Sequence, residues 1–230
     1  MTDFFRFPHT PHLAWLGGGD LRDDKVLSPA EAASILADEV VIEEKVDGAN
    51  LGFSVTEDGD LQCQNRGTYL SPELAHPQFG PLWPWLGPRR DSLVDALWPD
   101  LYLFGEWCLA VHSVRYDQLP DWFLGFDVYD RAAGLFWDTA RRDDLLVRLQ
   151  LSSVPRLGKE SLDLTRLKGF LGRSSLHAGA VEGVVVRREA DGWTTDRAKL
   201  VNASFVQAID THWSRGPLVR NNLRTGSIGS

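Results

Sequence analysis

The sequence predicts an α+β fold built on antiparallel sheets with flanking helices. Strand-like runs follow one another with only a turn between them, and helical runs fall among them at irregular intervals. The regular strand–helix–strand alternation of a parallel sheet is missing, so a doubly wound dinucleotide fold matches this order poorly.

The first 25 or so residues, with Pro8, Pro11 and the run Gly17-Gly18-Gly19, read as loop. Ser28-Pro29-Ala30-Glu31 opens a helix that should reach about Asp38. Ser28 caps it, Glu31 completes a capping box, and Pro29 suits the first helical position, where a missing N–H costs nothing. Val40 to Glu43 and Asn50 to Val55 are β-rich; Asp58-Gly59 marks a hairpin turn, and Leu61 to Arg66 is the returning strand. Residues 71–90, rich in Pro, Gly and Trp, predict an ordered surface loop. Asp91 to Trp98 reads as helix, and Leu101–Trp107, Trp122–Val128 and Val181–Arg188 read as strands. The stretches near 138–150 and 160–174 are expected to be helical. From Asn202 a weak helical start fades into a mildly cationic tail bearing Arg215, Arg220 and Arg224, expected to be solvated.

Composition narrows the class. A hydrophobic fraction of 43% and a charged fraction of 24% are ordinary for a globular protein, so the 230 residues can bury a real core. The formal net charge of −8 argues against a surface coated in positive charge for indiscriminate nucleic-acid binding, but leaves room for a local basic groove. Cys63 and Cys108 are too few for a disulfide framework and lack metal-ligand spacing; they fit a reducing cytoplasm. No apolar run marks a signal peptide or a membrane span. His9 and His12 have a metal-like gap, yet their Pro-containing loop offers no acid or thiol nearby, and a metal site there is not expected.

Five segments carry chemistry. In Glu44-Lys45-Val46-Asp47-Gly48-Ala49-Asn50, a lysine sits at a strand end beside a glycine that permits close backbone approach; freed of its proton it can act as a covalent nucleophile. Phe104-Gly105-Glu106-Trp107 and Phe126-Asp127-Val128-Tyr129 lie in strands. Glu182 opens the run Gly183-Val184-Val185-Val186-Arg187, and an acid at the head of a buried strand needs a cation, a metal or a ligand hydroxyl to justify its position. In Arg197-Ala198-Lys199-Leu200, strand alternation points Arg197 and Lys199 to the same side, where a phosphate would relieve their repulsion.

In this order the five segments resemble the covalent nucleotidyltransferase superfamily, which holds ATP-dependent ligases and mRNA-capping enzymes. The resemblance runs from about residue 40 to 201. Asn50, two positions after the glycine, is similar to RNA ligases of the phage nick-sealing type, whereas DNA ligases and capping enzymes usually show Arg there. Asn65-Arg66-Gly67 resembles the Arg-bearing motif that follows the first hairpin of that family. Gly105 to Ser113, Ala198 to Asn202 and Thr10-Pro11-His12-Leu13 resemble bacterial RNA-ligase members.

The resemblance implies an ATP-dependent RNA ligase. Lys45 would take AMP from ATP, pass it to an RNA 5′-phosphate, and a 3′-hydroxyl would then displace it. Lys199 and Arg197 would hold the α-phosphate, Phe126 would stack on adenine, and Glu106 would take the ribose hydroxyls. Glu182, with Glu106, would bind Mg²⁺ or Mn²⁺; Asn50 would orient phosphate or metal-bound water. Arg66 would meet the phosphate or the RNA end, and Glu44 and Val46 would flank the nucleophile in the ATP pocket. Many relatives carry Lys where Arg197 stands, and an arginine cannot donate a proton in the same range. The resemblance also implies one nucleotidyltransferase domain over residues 1–230: an N-terminal loop and helix (1–39), the catalytic motifs (40–201) and a short tail (202–230). No OB-fold domain is expected, because only 31 residues follow Lys199. The expected partners are RNA ends, with an end-healing or RNA-delivering protein to compensate for weak RNA affinity. Two alternatives stay open: a DNA ligase or capping-type enzyme, and a non-catalytic ligase-like module that binds RNA.

Overall fold

The computed structural model describes residues 4–17, 25–206 and 217–226. Gly18, Gly19 and Arg215 lie outside them. In chain order the elements are α1 (Pro29–Ala37), β1 (Val40–Lys45), β2 (Ala49–Val55), β3 (Leu61–Gln64), α2 (Leu82–Leu86), α3 (Arg90–Leu97), β4 (Leu101–Trp107), β5 (Phe123–Asp130), β6 (Leu135–Phe136), α4 (Thr139–Arg148), β7 (Ser152–Ser153), β8 (Arg156–Glu160), α5 (Leu164–Lys168), β9 (Gly183–Ala190), β10 (Trp193–Val201) and α6 (Ala203–Val206).

The strands form two sheets. The first has the order β10-β9-β1-β8 and is antiparallel throughout. The second runs β3-β2-β4-β5-β6, also antiparallel, with short β7 added parallel to β5. The chain passes from the first sheet to the second between Lys45 and Ala49, so the Lys45 segment is the joint between them.

Alternation along the strands sorts the first sheet into two unlike faces. Ile42, Val184, Val186, Ala198 and Leu200 pack with Ile35 and Leu36 of α1 and Leu167 of α5 into one apolar core. Glu43, Lys45, Val185, Arg187, Arg197 and Lys199 project from the other face into a cavity. The second sheet covers its own outer face with α2, α3 and α4 through Phe53, Leu82, Trp85, Leu93, Leu97, Leu103, Phe123 and Leu145. Full burial of each such side chain contributes about 1.5–3 kcal/mol, which fixes both sheets firmly enough to hold charged groups between them.

Three local expectations need correction. Residues 71–90 are not a surface loop: they form a 3₁₀ turn at Pro77–Phe79, then α2 and a second 3₁₀ turn at Gly87–Arg89. Phe79, Leu82, Trp85 and Leu86 are buried there, and the Trp85 indole N–H donates to Asp121 at 2.8 Å. Pro and Gly signal loops in average usage, but here the Trp and Leu side chains between them build a wall of the core. Residues 160–174 are only partly helical. β8 extends to Glu160, Asp163 caps α5 by accepting from the Arg166 N–H, and a 3₁₀ turn follows at Gly169–Leu171. The tail is docked over 217–226 through buried Asn221 and a bond from the Val111 N–H to the Val219 carbonyl, although Arg220 and Arg224 stay exposed as expected. The capping box at Ser28 and Glu31 forms as expected.

Candidate active site

The cavity between the sheets holds about 390 Å³, enough for a nucleotide-sized ligand. Lys45, the last residue of β1, pairs in register with Gly183, the first of β9. Glu182 therefore arrives beside the lysine, and the Lys45 ammonium donates to both Glu182 carboxylate oxygens at 2.7 Å. Two glycines make this possible. A Cβ on Gly183 would lie 2.6 Å from the Leu200 carbonyl oxygen, and one on Gly48 would lie 2.7 Å from that of Trp107.

Electrostatics set the resting state of Lys45. Burial works against the Lys45 charge, but Glu182, then Glu106 and Asp47, outweigh it and hold the ammonium above the usual lysine range. Glu106, opposite Asn50 in the β4–β2 register, is pushed up to about 8, first by burial and then by Asp47 and Glu182, against the pull of Lys45. Glu182 is also raised, chiefly by burial. The carboxylates thus store a proton on the lysine and compete for the remaining negative charge.

A second set of charges links the two sheets. Asp127 of β5, 1% exposed, accepts from Arg187 of β9 at 2.5 Å and from Arg197 of β10. Arg187 also donates to Glu43 at 2.7 Å, and Arg142 of α4 donates to the other Glu43 oxygen at 2.6 Å. Both guanidinium groups reach the Phe126 carbonyl, at 2.8 Å from Arg142 and 3.0 Å from Arg187. Phe126 is fixed by its backbone, and the Phe7 ring packs against it edge-on at 5.3 Å.

Glu44, Lys45, Val46, Asn50, Arg66, Glu106, Phe126, Arg197 and Lys199 all line this cavity, with Glu182 joined to it through Lys45. Three have surroundings the sequence did not disclose. The Arg197 guanidinium is neutralised by Asp127 and lies over Phe7, so its repulsion with Lys199 is relieved without a phosphate. The Glu44 carboxylate is buried and accepts from the Ser174 hydroxyl at 2.6 Å, while burial keeps its pKa raised. Asn50 Oδ1 is buried with no hydrogen-bond partner among the described residues.

Phe7 and Arg142 are missed from sequence, and Glu43, Asp127 and Arg187 stand in or beside the quoted segments without a role assigned to them. Arg187 sat two positions from Val185 on a strand and was legible by alternation. Arg142 gave no signal, because a helical arginine is ordinarily solvated.

The acids fit a small hard cation. Mg²⁺ and Mn²⁺ take oxygen donors, and Mg²⁺ is usually held by only one or two carboxylates with substrate phosphates completing the shell. Glu182 and Glu106 supply two carboxylates, and Asn50 an uncommitted oxygen. Among the described residues no group of three or more His, Cys, Asp or Glu forms an all-protein cage.

The RNA ligase family model matches residues 38–201, which spans all five of the segments that carry chemistry. The chain belongs to the RNA ligase family. No curated protein matches it. Among solved structures, Naegleria gruberi RNA ligase with pyrophosphate aligns at TM-score 0.57 and 19% identity, covering 75% of this chain and 52% of that one. A variant of the same enzyme with ATP and Mn aligns at TM-score 0.64 and 16% identity over 90% of this chain and 59% of that one. A further variant, with AMP and Mn, aligns at 0.59 and 16% over 89% and 64%. The chain spans about half the length of the first of these. At such identities the likeness establishes a shared fold, and the fold places the RNA ligase motifs of this chain around one cavity.

Proposed function

We propose that the chain is an ATP-dependent RNA ligase acting through a lysyl-AMP intermediate on Lys45. The observation that carries this reading is the Lys45–Glu182 pair at 2.7 Å, set at the joint of two sheets in a cavity that Lys199 also lines. In the first step Lys45 Nζ attacks the α-phosphorus of ATP. A P–N bond forms, the bond to the bridging oxygen breaks, and pyrophosphate leaves. An RNA 5′-phosphate oxygen then attacks the same phosphorus and releases the lysine, giving a 5′–5′ pyrophosphate-linked end. A 3′-hydroxyl attacks the RNA 5′-phosphate and AMP departs.

This chemistry asks for positioning and charge neutralisation more than for acid–base groups. Lys199 stands where it can hold the α-phosphate. Phe126, locked through its carbonyl, offers a flat apolar surface to the adenine. Glu106, with a pKa near 8, can keep a proton and bond a ribose hydroxyl as donor or acceptor. Glu182 and Glu106 would hold Mg²⁺ or Mn²⁺, with Asn50 orienting phosphate or a metal-bound water, and the ion would supply neutralisation of phosphate charge. Glu182 could not serve such an ion and the Lys45 ammonium fully at once, and its withdrawal from Lys45 would lower the lysine pKa. The solved relative binds ATP, AMP and Mn, which supports the same ligand classes here.

The domain reading is one nucleotidyltransferase unit. A cytoplasmic location fits two free, buried cysteines, and no described helix is long and apolar enough to cross a membrane. RNA ends are the macromolecular substrate, and an end-healing or RNA-delivering protein is the expected partner. Incubation with α-labelled ATP and Mg²⁺ should add one AMP to the wild-type chain and none to Lys45→Ala. Label retained by that variant would overturn the proposal. Offering the AMP-loaded protein nicked RNA, single-stranded RNA and nicked DNA then identifies the nucleic acid.

A further inference from the structure

The turn that follows Lys45 is gripped by a segment distant in sequence. Asp47 Oδ2 accepts from the backbone N–H groups of Ser113 and Val114 at 2.6 and 2.8 Å, and the Asp47 N–H donates to the Tyr116 hydroxyl at 2.9 Å. Residues 108–119 make these bonds as a loop between β4 and β5, without a helix of their own. A loop holds such geometry only if its own backbone groups are satisfied.

The C-terminal segment satisfies them. The Asn221 side chain, 1% exposed, donates to the Cys108 carbonyl at 2.8 Å and the Ala110 carbonyl at 3.1 Å, and accepts from the Tyr116 N–H at 2.8 Å. Its backbone N–H donates to the Leu109 carbonyl at 2.9 Å. On either side, Val111 N–H donates to Val219, Asn222 N–H to Tyr116, Leu119 N–H to Asn222, and Arg224 N–H to Leu119. One amide therefore sets the path of the loop at both ends of residues 108–116.

We propose that Asn221 is a positioning residue for the nucleophile. It shapes the 108–119 loop, the loop fixes Asp47 through Ser113, Val114 and Tyr116, and Asp47 fixes the turn that aims Lys45. The segment lies outside residues 38–201, the stretch matched to the RNA ligase family, so this control is a feature of the chain's own C-terminal region. Asn221 touches no reacting atom; it acts through Asp47.

The inference uses the proposed role of Lys45, and two measurements separate them. The first is independent of ATP. Amide hydrogen exchange at Asp47, Ser113 and Val114 should be at least about tenfold faster in Asn221→Ala than in wild type, while exchange in β9 and β10 is unchanged. Equal exchange at those amides would overturn the proposal even if the wild type never accepted AMP. The second is kinetic. In Asn221→Ala and Tyr116→Phe, the rate of Lys45 labelling at saturating ATP should fall about tenfold or more with the ATP KM within about threefold of wild type. Asn221→Gln should remain as slow as Asn221→Ala, because a longer side chain cannot reach all three backbone groups together. A rise in KM with an unchanged maximal rate, or a loss that follows only the fraction of unfolded protein, would overturn it. Labelling by neither wild type nor variants would count against the Lys45 proposal alone, leaving exchange to decide the role of Asn221.

Discussion

Glu182 holds the Lys45 ammonium symmetrically, with both carboxylate oxygens 2.7 Å from Nζ. Lys45 is therefore held in its protonated, non-nucleophilic form, and Glu182, which holds it there, is also a residue proposed to take the metal.

The first prediction concerns pH. Glu182 is the leading charge that raises the Lys45 pKa, so Glu182→Gln should lower it. Because the free amine is the reactive form, labelling of Lys45 by an acylating reagent should rise with pH in both proteins but begin at lower pH in the variant. A shift of one unit corresponds to about tenfold in reactivity at fixed pH. Superimposable pH profiles, read by mass spectrometry of the Lys45 peptide, would show that Glu182 does not control the proton.

Glu106 gives a stability prediction. Its pKa near 8 exceeds that of an unfolded glutamate, so the folded state binds the extra proton. The acid then weakens the ligand-free fold progressively as pH rises from about 4.5 to 8, since the unfolded chain ionises first. Glu106→Gln removes this penalty. It should raise the melting temperature at pH 8 by about 2–4 °C for each kcal/mol recovered, with little effect at pH 4.5. An equal gain at both values would exclude ionisation as the cause.

The arginine string should be cooperative. Arg142 and Glu43 are 2% and 1% exposed, so Arg142→Ala leaves a buried carboxylate short of a partner. Breaking such a pair costs about 3–5 kcal/mol. Urea unfolding should show that loss, and adding Glu43→Gln to Arg142→Ala should recover part of it. Simple additivity of the two substitutions would mean they do not act as a pair.

Phe126 should affect affinity rather than rate. Base–aromatic stacking contributes about 1–3 kcal/mol, so Phe126→Ala should raise the ATP KM for Lys45 labelling by about 5- to 150-fold. Phe126→Trp keeps the flat surface and should stay near wild type. An alanine variant with unchanged KM would place the base elsewhere in the cavity.

Much of this was readable in residue order. The Ser28–Glu31 cap, the Asp58-Gly59 hairpin and the strand character of β1, β2, β4, β5 and β9 all follow from local propensity and alternation. The stretch 71–90 reads as loop because Pro and Gly signal loops on average, while burial of Trp85 against Phe53 and Phe123 overrides that preference. β8 is not legible in the sequence, since Arg156–Glu160 carries no apolar alternation and is a strand only because β1 offers it an edge.

What the sequence by itself determined is the roster: a lysine at a strand end, Glu106 in one strand and Glu182 at the head of another, Phe126 and Lys199, with the RNA ligase resemblance as their meaning. Those positions follow from period-two alternation and glycine placement, which are local. What only the tertiary structure decided is who holds whom. That Glu182 parks Lys45, that Asp127 neutralises Arg197, and that Asn221 shapes the loop around Asp47 depend on contacts spanning 137, 70 and 105 residues of chain. Charges interact through space in a low-dielectric interior, and no spacing along the chain encodes which of them the two sheets bring within hydrogen-bonding distance.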